Sequence, residues 1–253
     1  MSPRAVILAG GKGSRLGPYT TVLPKPLMPL GDRAILDVVV RQLREHGFGP
    51  LTVAVGYLAH LVQAVMGDGA AHGVEIEYHV ETEPLGTAGP FAKIEGLGDG
   101  SFLAMNGDIV TTMDYRHFFA EHERSGNAMT VATHQRTVRT NYGVLHVDGA
   151  NGPICPVTGY EEKPEIPYTV SMGIYALSPV ALEHIPNRRF DIPDLVLALL
   201  DAGLPVGAYA FDGYWLDIGR HDDYDQALRD YESILPRLLP EDDLPFSATG
   251  GTP

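Results

Sequence analysis

The groups best able to do chemistry fall at a few places along the 253 residues. Gly10-Gly11-Lys12-Gly13-Ser14-Arg15-Leu16-Gly17-Pro18 follows an apolar run. Its glycines let backbone N–H groups close around an anion or a base edge, and Lys12 and Arg15 add positive charge. Lys25 stands between Pro24 and Pro26, on a stiff backbone. Two cations and a glycine loop at one end of a sheet suit a triphosphate. Asp108 closes Asn106-Gly107-Asp108, and Asp217 sits in Trp215-Leu216-Asp217-Ile218-Gly219, among apolar neighbours with no adjacent basic residue. A carboxylate in apolar surroundings is costly unless it is paired or bound to a cation, and Mg²⁺ prefers a few carboxylates plus phosphate oxygens and water. Glu162-Lys163-Pro164 offers an acceptor for hydroxyls beside an ammonium, a pair suited to a sugar phosphate, and Tyr142-Gly143 and Ser171-Met172-Gly173 would let such a ligand approach backbone. Each has a plainer reading taken alone: a glycine-rich connection with solvated charges, a surface lysine, an Asp bonded within its own turn, or ordinary strand ends.

Other chemistries fall away. The glycine loop lacks the third glycine of a dinucleotide fingerprint, since Leu16 stands there, and it lacks the Gly-Lys-Ser/Thr ending of a P-loop. None of the ten histidines forms His-Glu-x-x-His, and no serine lies in a Gly-x-Ser-x-Gly context. Cys155 is the only cysteine, which excludes an intrachain disulfide and a cysteine-rich zinc site. The net charge of −14 argues against a general affinity for nucleic acid or anionic membrane. Residues 1–50, however, hold seven basic groups against three acidic ones, so the positive charge is concentrated at the opening of the chain. No targeting signal or membrane span is read, and a cytoplasmic protein is expected.

These residues must be held by a scaffold, and the alternation of patterns describes one. Ala5–Ala9 reads as a strand buried on both faces, 34–45 as a helix, Leu51–Val55 as a strand, 58–66 as a helix, and 74–80 as a strand. A helix near 88–94, a strand at 102–105 and a helix at 114–124 follow. Such βα alternation predicts an α/β fold with an open, mostly parallel, Rossmann-like sheet and helices on both faces, its ligands bound beyond the carboxyl ends of the strands. From about 128 strands dominate, at 129–133, 142–147 and 170–177, with helices at 178–185, 191–202 and 221–233. The second half is read as an extension of the same domain, giving a unit over 1–238 with halves meeting near 128. The stretch 239–253, rich in Pro, Gly, Ser and Thr, is expected to be a disordered tail.

Taken together, the motifs resemble the sugar-1-phosphate nucleotidylyltransferase family, the pyrophosphorylases that make nucleotide sugars. The likeness runs from Leu8-Ala9-Gly10-Gly11-x-Gly13-Ser14-Arg15-Leu16 through Lys25-Pro26, Pro84-Leu85-Gly86-Thr87-Ala88, Asn106-Gly107-Asp108, Glu162-Lys163-Pro164 and Gly173-Ile174-Tyr175 to Trp215-x-Asp217-Ile218-Gly219. It implies a glycosyltransferase-A-like fold and a reaction in which a sugar-1-phosphate oxygen attacks the α-phosphorus of a nucleoside triphosphate. It also implies that Arg15 holds the pyrophosphate end, that Lys25 contacts phosphate between the substrates, and that Asp108 and Asp217 hold Mg²⁺. Leu8, Ala9, Gly10, Gly11, Gly13 and Ser14, with Glu81, Pro84, Gly86, Thr87 and Asn106, would bind the nucleotide. Gly143, Glu162, Lys163, Ser171 and Gly173 would bind the sugar phosphate.

Two departures bear on substrate. Glu81 stands where thymidylyl- and many uridylyltransferases carry Gln, and Glu81-Thr82-Glu83-Pro84-Leu85-Gly86-Thr87-Ala88-Gly89 looks like the guanylyltransferase branch that makes GDP-mannose or GDP-heptose. A carboxylate suits guanine, whose N1–H and N2–H₂ both donate. Val170-Ser171-Met172-Gly173 replaces the Asn-Ala-Gly of glucose-specific members. The expectation is therefore a GTP-dependent transferase for mannose-1-phosphate or a relative. A UTP- or dTTP-dependent glucose-1-phosphate enzyme, or a catalytically silent regulatory homologue, remain as alternatives. A homodimer is one expected state, and no nucleic-acid or membrane partner is expected.

Overall fold

The computed structural model describes residues 2–149 and 153–239. In chain order the first half runs β1 (Arg4–Ala9), β2 (Pro29–Leu30), β3 (Arg33–Ala34), α1 (Ile35–Glu45), β4 (Leu51–Val55), α2 (Ala59–Met66), β5 (Ile76–Val80), β6 (Phe102–Asn106), β7 (Ile109–Thr111) and α3 (Tyr115–Ser125). The second half adds β8 (Met129–Arg139), β9 (Gly143–Val147), β10 (Val157–Glu162), β11 (Glu165–Leu177), α4 (Ile192–Asp201), β12 (Val206–Ala210), β13 (Trp215–Asp217) and α5 (His221–Leu238).

Seven strands form one sheet in the order β12-β8-β11-β6-β1-β4-β5, parallel throughout except at β11, which runs against both its neighbours. The continuous apolar runs of β1 and β4 have a simple cause: both lie inside the sheet and are covered on both faces. From β1 the chain moves to β4 and β5 on one side and then returns to β6 on the other. The carboxyl ends of β1 and β6 therefore open a crevice at the switch in direction. β11 arrives there antiparallel, with Ile174 opposite Met105, so that Gly173 lies beside the end of β6.

One core packs α1, α2 and α3 on one face of the sheet, with Leu36, Val62 and Phe118 against Ile7 and Val53. A second, holding Phe91, Leu195 and Leu199 against Phe102 and Leu177, covers the opposite face. A third lies between α1, α5 and the two-stranded ribbon β7–β13, around Ile35, Val110, Leu216 and Tyr231. Leu239 is buried in this third core; residues 240–253, the rest of the expected tail, lie outside the described residues. Among the described residues no helix is long and apolar enough to cross a membrane.

Several local expectations change. The helix expected at 88–94 is a 3₁₀ segment over Gly89–Lys93, with the Ala88 and Gly89 N–H groups at its start both donating to the Phe190 carbonyl. The segment Pro179–His184 is likewise 3₁₀. β8 and β11 run well past their expected limits, as a paired arm. β7, β10, β12 and β13 were not foreseen at all: β7 and β13 are only three residues long, too short to show a period.

Candidate active site

The crevice at the carboxyl ends of β1, β4, β5 and β6 is a cleft of about 610 Å³. Its walls include Leu8 to Gly13, Arg15, Lys25, Glu81, Pro84, Gly86, Thr87 and Asn106 to Asp108, residues from distant motifs brought together by the sheet. Close backbone contacts explain several glycines. A Cβ on Gly56 would lie 3.0 Å from the Gly10 carbonyl, and one on Gly107 would lie 3.2 Å from the Leu8 carbonyl, so the loops after β1, β4 and β6 pack backbone to backbone.

Charge in the cleft is organised around Lys25, which is 8% exposed and forms an ion pair with Asp108 Oδ2. Burying that ammonium is tolerable only with such a partner. The other oxygen, Asp108 Oδ1, is buried without a hydrogen-bond partner. Asp217 comes close through the ribbon: Asp217 opposes Ile109 across β13–β7, and the Ile218 N–H donates to the Asp108 carbonyl at 3.1 Å. Protein walls around Asp217 raise its pKa first, and the Asp108 carboxylate raises it further, against opposing pulls from Lys25 and Arg15. An orphaned carboxylate oxygen beside a second, mutually repelling carboxylate is a donor set that fits a divalent cation. Arg15 packs near Gly219, where a Cβ would stand 3.5 Å from Nη2. Lys12 and Arg15 both line the cleft, and neither has an ion-pair partner among the described residues.

Away from the charges, Glu81 bridges two loops. Its Oε2 accepts from the Leu85 N–H at 3.0 Å, while a Cβ on Gly10 would come within 2.6 Å of its Oε1. Gly86 takes φ +82°, and a Cβ there would meet the Phe190 carbonyl oxygen at 2.5 Å. The Thr87 N–H donates to Asp191 Oδ1 at 2.9 Å, and the Thr87 hydroxyl accepts from the Ile192 N–H at 2.8 Å, so 84–88 is sewn to the start of α4. Ser14 is exposed on a 3₁₀ turn and is not part of the cleft lining.

The residues expected to hold a sugar phosphate divide into two groups. Ser171 and Gly173 lie at the irregularity where the β8–β11 register shifts. The Gly173 N–H donates to Ser171 Oγ at 3.3 Å, Gly173 takes φ +76°, and a Cβ there would press on the Asn106 amide. Trp215 Nε1 donates to the Met172 carbonyl at 3.0 Å and ties this segment to β13. Gly143, Glu162 and Lys163 instead stand on the exposed ribbon β9–β10 and at its exit, outside the cleft lining. There the Tyr160 hydroxyl donates to Glu162 Oε2 at 2.5 Å.

Sequence reasoning missed Gly56, Tyr57, Arg189 and Asp191, which also line the cleft. The Tyr57 hydroxyl donates to the Thr21 carbonyl at 2.9 Å, pinning the loop beyond Arg15. Gly56 had a signal, a glycine directly after a buried strand as at Gly10. Arg189 and Asp191 had none, being separated from the loop they meet by about a hundred residues.

The nucleotidyl transferase family pattern matches residues 4–234, nearly all of the described chain. The chain belongs to the nucleotidyl transferase family. It is 32% identical over 262 residues to a UTP–glucose-1-phosphate uridylyltransferase of Synechocystis, covering 96% of this chain and 66% of that protein. It is 32% identical over 227 residues to a mannose-1-phosphate guanyltransferase of Aspergillus fumigatus, covering 87% of this chain and 62% of that protein. The chain thus spans just under two thirds of the length of these relatives. This nucleotidyl transferase also shares its fold with HddC from Yersinia pseudotuberculosis, at 24% identity and TM-score 0.69 over 91% of this chain and 100% of that one. A UDP-glucose pyrophosphorylase complexed with UDP-glucose superposes at 17% identity and TM-score 0.68, over 92% and 99% of the two chains.

Proposed function

We propose that this chain transfers a nucleotidyl group from a nucleoside triphosphate, GTP by preference, to mannose-1-phosphate or a related sugar-1-phosphate, releasing pyrophosphate. The observation that carries the reading is the charge arrangement of the cleft. A buried Lys25–Asp108 pair with one orphaned carboxylate oxygen lies among the cations Lys12 and Arg15, neither of which has an ion-pair partner among the described residues.

A phosphate oxygen of the sugar-1-phosphate attacks the α-phosphorus, forming a new P–O bond as the bond to the pyrophosphate oxygen breaks. The nucleophile is already anionic at neutral pH, so no general base is needed, and positioning and charge neutralisation do the work. Lys25 contacts the phosphate that both substrates share, and Arg15, aided by Lys12, takes the negative charge of the departing pyrophosphate. Asp108 and Asp217 would hold Mg²⁺, which when bound shields phosphate oxygens from one another. Leu8 to Gly11 and Pro84 to Gly86 frame the base and ribose. Glu81, with Oε2 engaged by Leu85, keeps Oε1 for donors on the base, and guanine has two such groups where uracil and thymine have one. Relatives named for mannose-1-phosphate support the sugar, and the uridylyltransferase relative keeps UTP with glucose-1-phosphate as the second reading.

The test is pyrophosphate release from a matrix of GTP, UTP, dTTP, CTP and ATP against several sugar-1-phosphates, with Mg²⁺. The expected result is highest kcat/KM for GTP with mannose-1-phosphate or a close relative. Preference for UTP or dTTP would overturn the role given to Glu81, and no turnover with any pair would overturn the transferase reading.

A further inference from the structure

Four cations line the cleft among the described residues. Lys12, Arg15 and Lys25 come from the stretch that follows β1, and all three are given to phosphate. The fourth, Arg189, comes from the segment before α4. That segment lies along the loop given to the base: the Phe190 N–H donates to the Leu85 carbonyl at 2.8 Å, and the Phe190 carbonyl accepts from the Ala88 and Gly89 N–H groups, each at 3.0 Å. Leu85 in turn donates its N–H to Glu81 Oε2. A single loop residue therefore joins Glu81 to the segment that carries Arg189. Asp191 fixes the arrangement, since its Oδ1 accepts from the Thr87 N–H at 2.9 Å while its Oδ2 lies 3.6 Å from Arg189 Nη2. At that distance the carboxylate attracts the guanidinium without a hydrogen bond, and the Arg189 side chain, 70% exposed, keeps its donors for a ligand.

A carboxylate and a guanidinium set about one loop can read a ring that donates on one edge and accepts on the next. Guanine has that pattern: N1–H and N2–H₂ donate, and beside them O6 and N7 accept. The planar fork of an arginine matches two neighbouring acceptors, which a lysine ammonium cannot do in the same fixed way. The other bases fail one half of the test or both. Adenine carries an N6–H₂ donor where guanine has O6, and the pyrimidines have no N7. Arg189 is also the cation that the phosphates need least, because three others already come from the loop and turn after β1.

We propose that Arg189 is a specificity-determining residue, donating to O6 and N7 of guanine while Glu81 accepts from the adjoining edge. The inference rests on the GTP-dependent reading of the cleft and adds a second edge of the base to it. The probe is 7-deaza-GTP, in which a CH replaces N7. Calorimetric titration of the full chain with Mg²⁺ should give a Kd about tenfold weaker for 7-deaza-GTP than for GTP, the worth of one charge-assisted hydrogen bond. Arg189→Ala should weaken GTP by about tenfold or more, leave UTP unchanged, and bring GTP and 7-deaza-GTP to the same Kd. Inosine triphosphate, which lacks N2–H₂, should stay weaker than GTP in both proteins, because that edge belongs to Glu81. Arg188→Ala, a neighbour that does not line the cleft, should keep the GTP to 7-deaza-GTP ratio of the parent. Tighter binding of UTP than of GTP by the unaltered chain overturns the guanine reading and this proposal together. Where GTP is preferred, the role of Arg189 alone is overturned by equal affinity of the unaltered chain for GTP and 7-deaza-GTP, or by a ratio that survives Arg189→Ala or is lost in Arg188→Ala. A uniform loss for GTP, 7-deaza-GTP and UTP in Arg189→Ala overturns it equally, since that is the mark of a phosphate contact.

Discussion

The two ends of the site are built by opposite means. On the side proposed to take the nucleotide, short loops leave the ends of four parallel strands, press backbone against backbone at Gly10, Gly56 and Gly107, and are sewn to α4 through Thr87 and Asp191. On the side proposed to take the sugar phosphate, only the Ser171–Gly173 segment is anchored to the sheet. Gly143, Glu162 and Lys163 ride on a two-stranded arm whose side chains are largely exposed. The nucleotide side is preorganised and intolerant of change, whereas the arm can vary its residues without disturbing the sheet. Under the proposed function, such a scaffold would keep phosphate chemistry fixed while leaving choice of sugar to a separable element.

The largest predicted effects are at the charges between the two ends. Lys25→Met removes the partner of a carboxylate with a buried, unsatisfied oxygen, and breaking such a pair costs about 3–5 kcal/mol. Losing one preorganised contact to developing charge costs about 10²- to 10³-fold in turnover. The variant should therefore show both a lower melting temperature and a collapse of kcat in pyrophosphate release. Asp108→Asn should lose a similar factor in kcat with a smaller change in melting, since the amide keeps a polar contact for Lys25. Near-normal kcat in either variant would mean that the preorganised side does not carry the chemistry.

How well each end could be read in advance follows from the same contrast. Lys25, Asp108 and the Gly10–Gly13 loop were legible because they sit in short motifs beside buried strands, where an apolar run and its glycine stop mark the position. Asp191 was illegible because its bonds to Thr87 join residues from opposite halves of the chain. β8 beyond Thr133 was missed because His134-Gln135-Arg136-Thr137 has no buried face, and without burial there is no hydrophobic period for a strand to display. β10 was missed for the same reason.

Rigidity on the nucleotide side can be broken without touching charge. Gly86→Ala forces a side chain into φ +82° and against the Phe190 carbonyl. Backbone strain of this kind costs about 1–3 kcal/mol, and each kcal/mol lowers the melting temperature of a domain this size by about 2–4 °C. The expected outcome is a drop of several degrees with a raised KM for the triphosphate. Gly47→Ala, at a similar φ of +82° but with nothing within 4 Å, should melt closer to the parent. Equal losses would show that the stitch to α4 contributes nothing. A smaller effect is expected for Glu81→Gln, which keeps an acceptor for the Leu85 N–H while losing a charge. The ratio of kcat/KM for GTP over UTP should fall about tenfold, the worth of one charge-assisted hydrogen bond of roughly 1.5 kcal/mol. An unchanged ratio would detach Glu81 from base choice.

The arm should answer differently and more mildly. Glu162 is exposed, and its hydrogen bond from the Tyr160 hydroxyl contributes little stability in water, so Glu162→Gln should leave the melting temperature unchanged. If the carboxylate accepts from sugar hydroxyls, its loss removes binding made alike in ground and transition states. KM for the sugar-1-phosphate should then rise by severalfold, while kcat and KM for the triphosphate stay put. Gly143→Ala sharpens the point from the opposite strand. Its new Cβ would meet only the Tyr160 phenol, the end of an exposed side chain that can swing aside by giving up its hydrogen bond to Glu162, and any cost should again appear in sugar-phosphate KM. A fall in kcat or a loss of several degrees in either variant would contradict the separation, because it would show the arm to be braced against the cleft as firmly as the loops opposite.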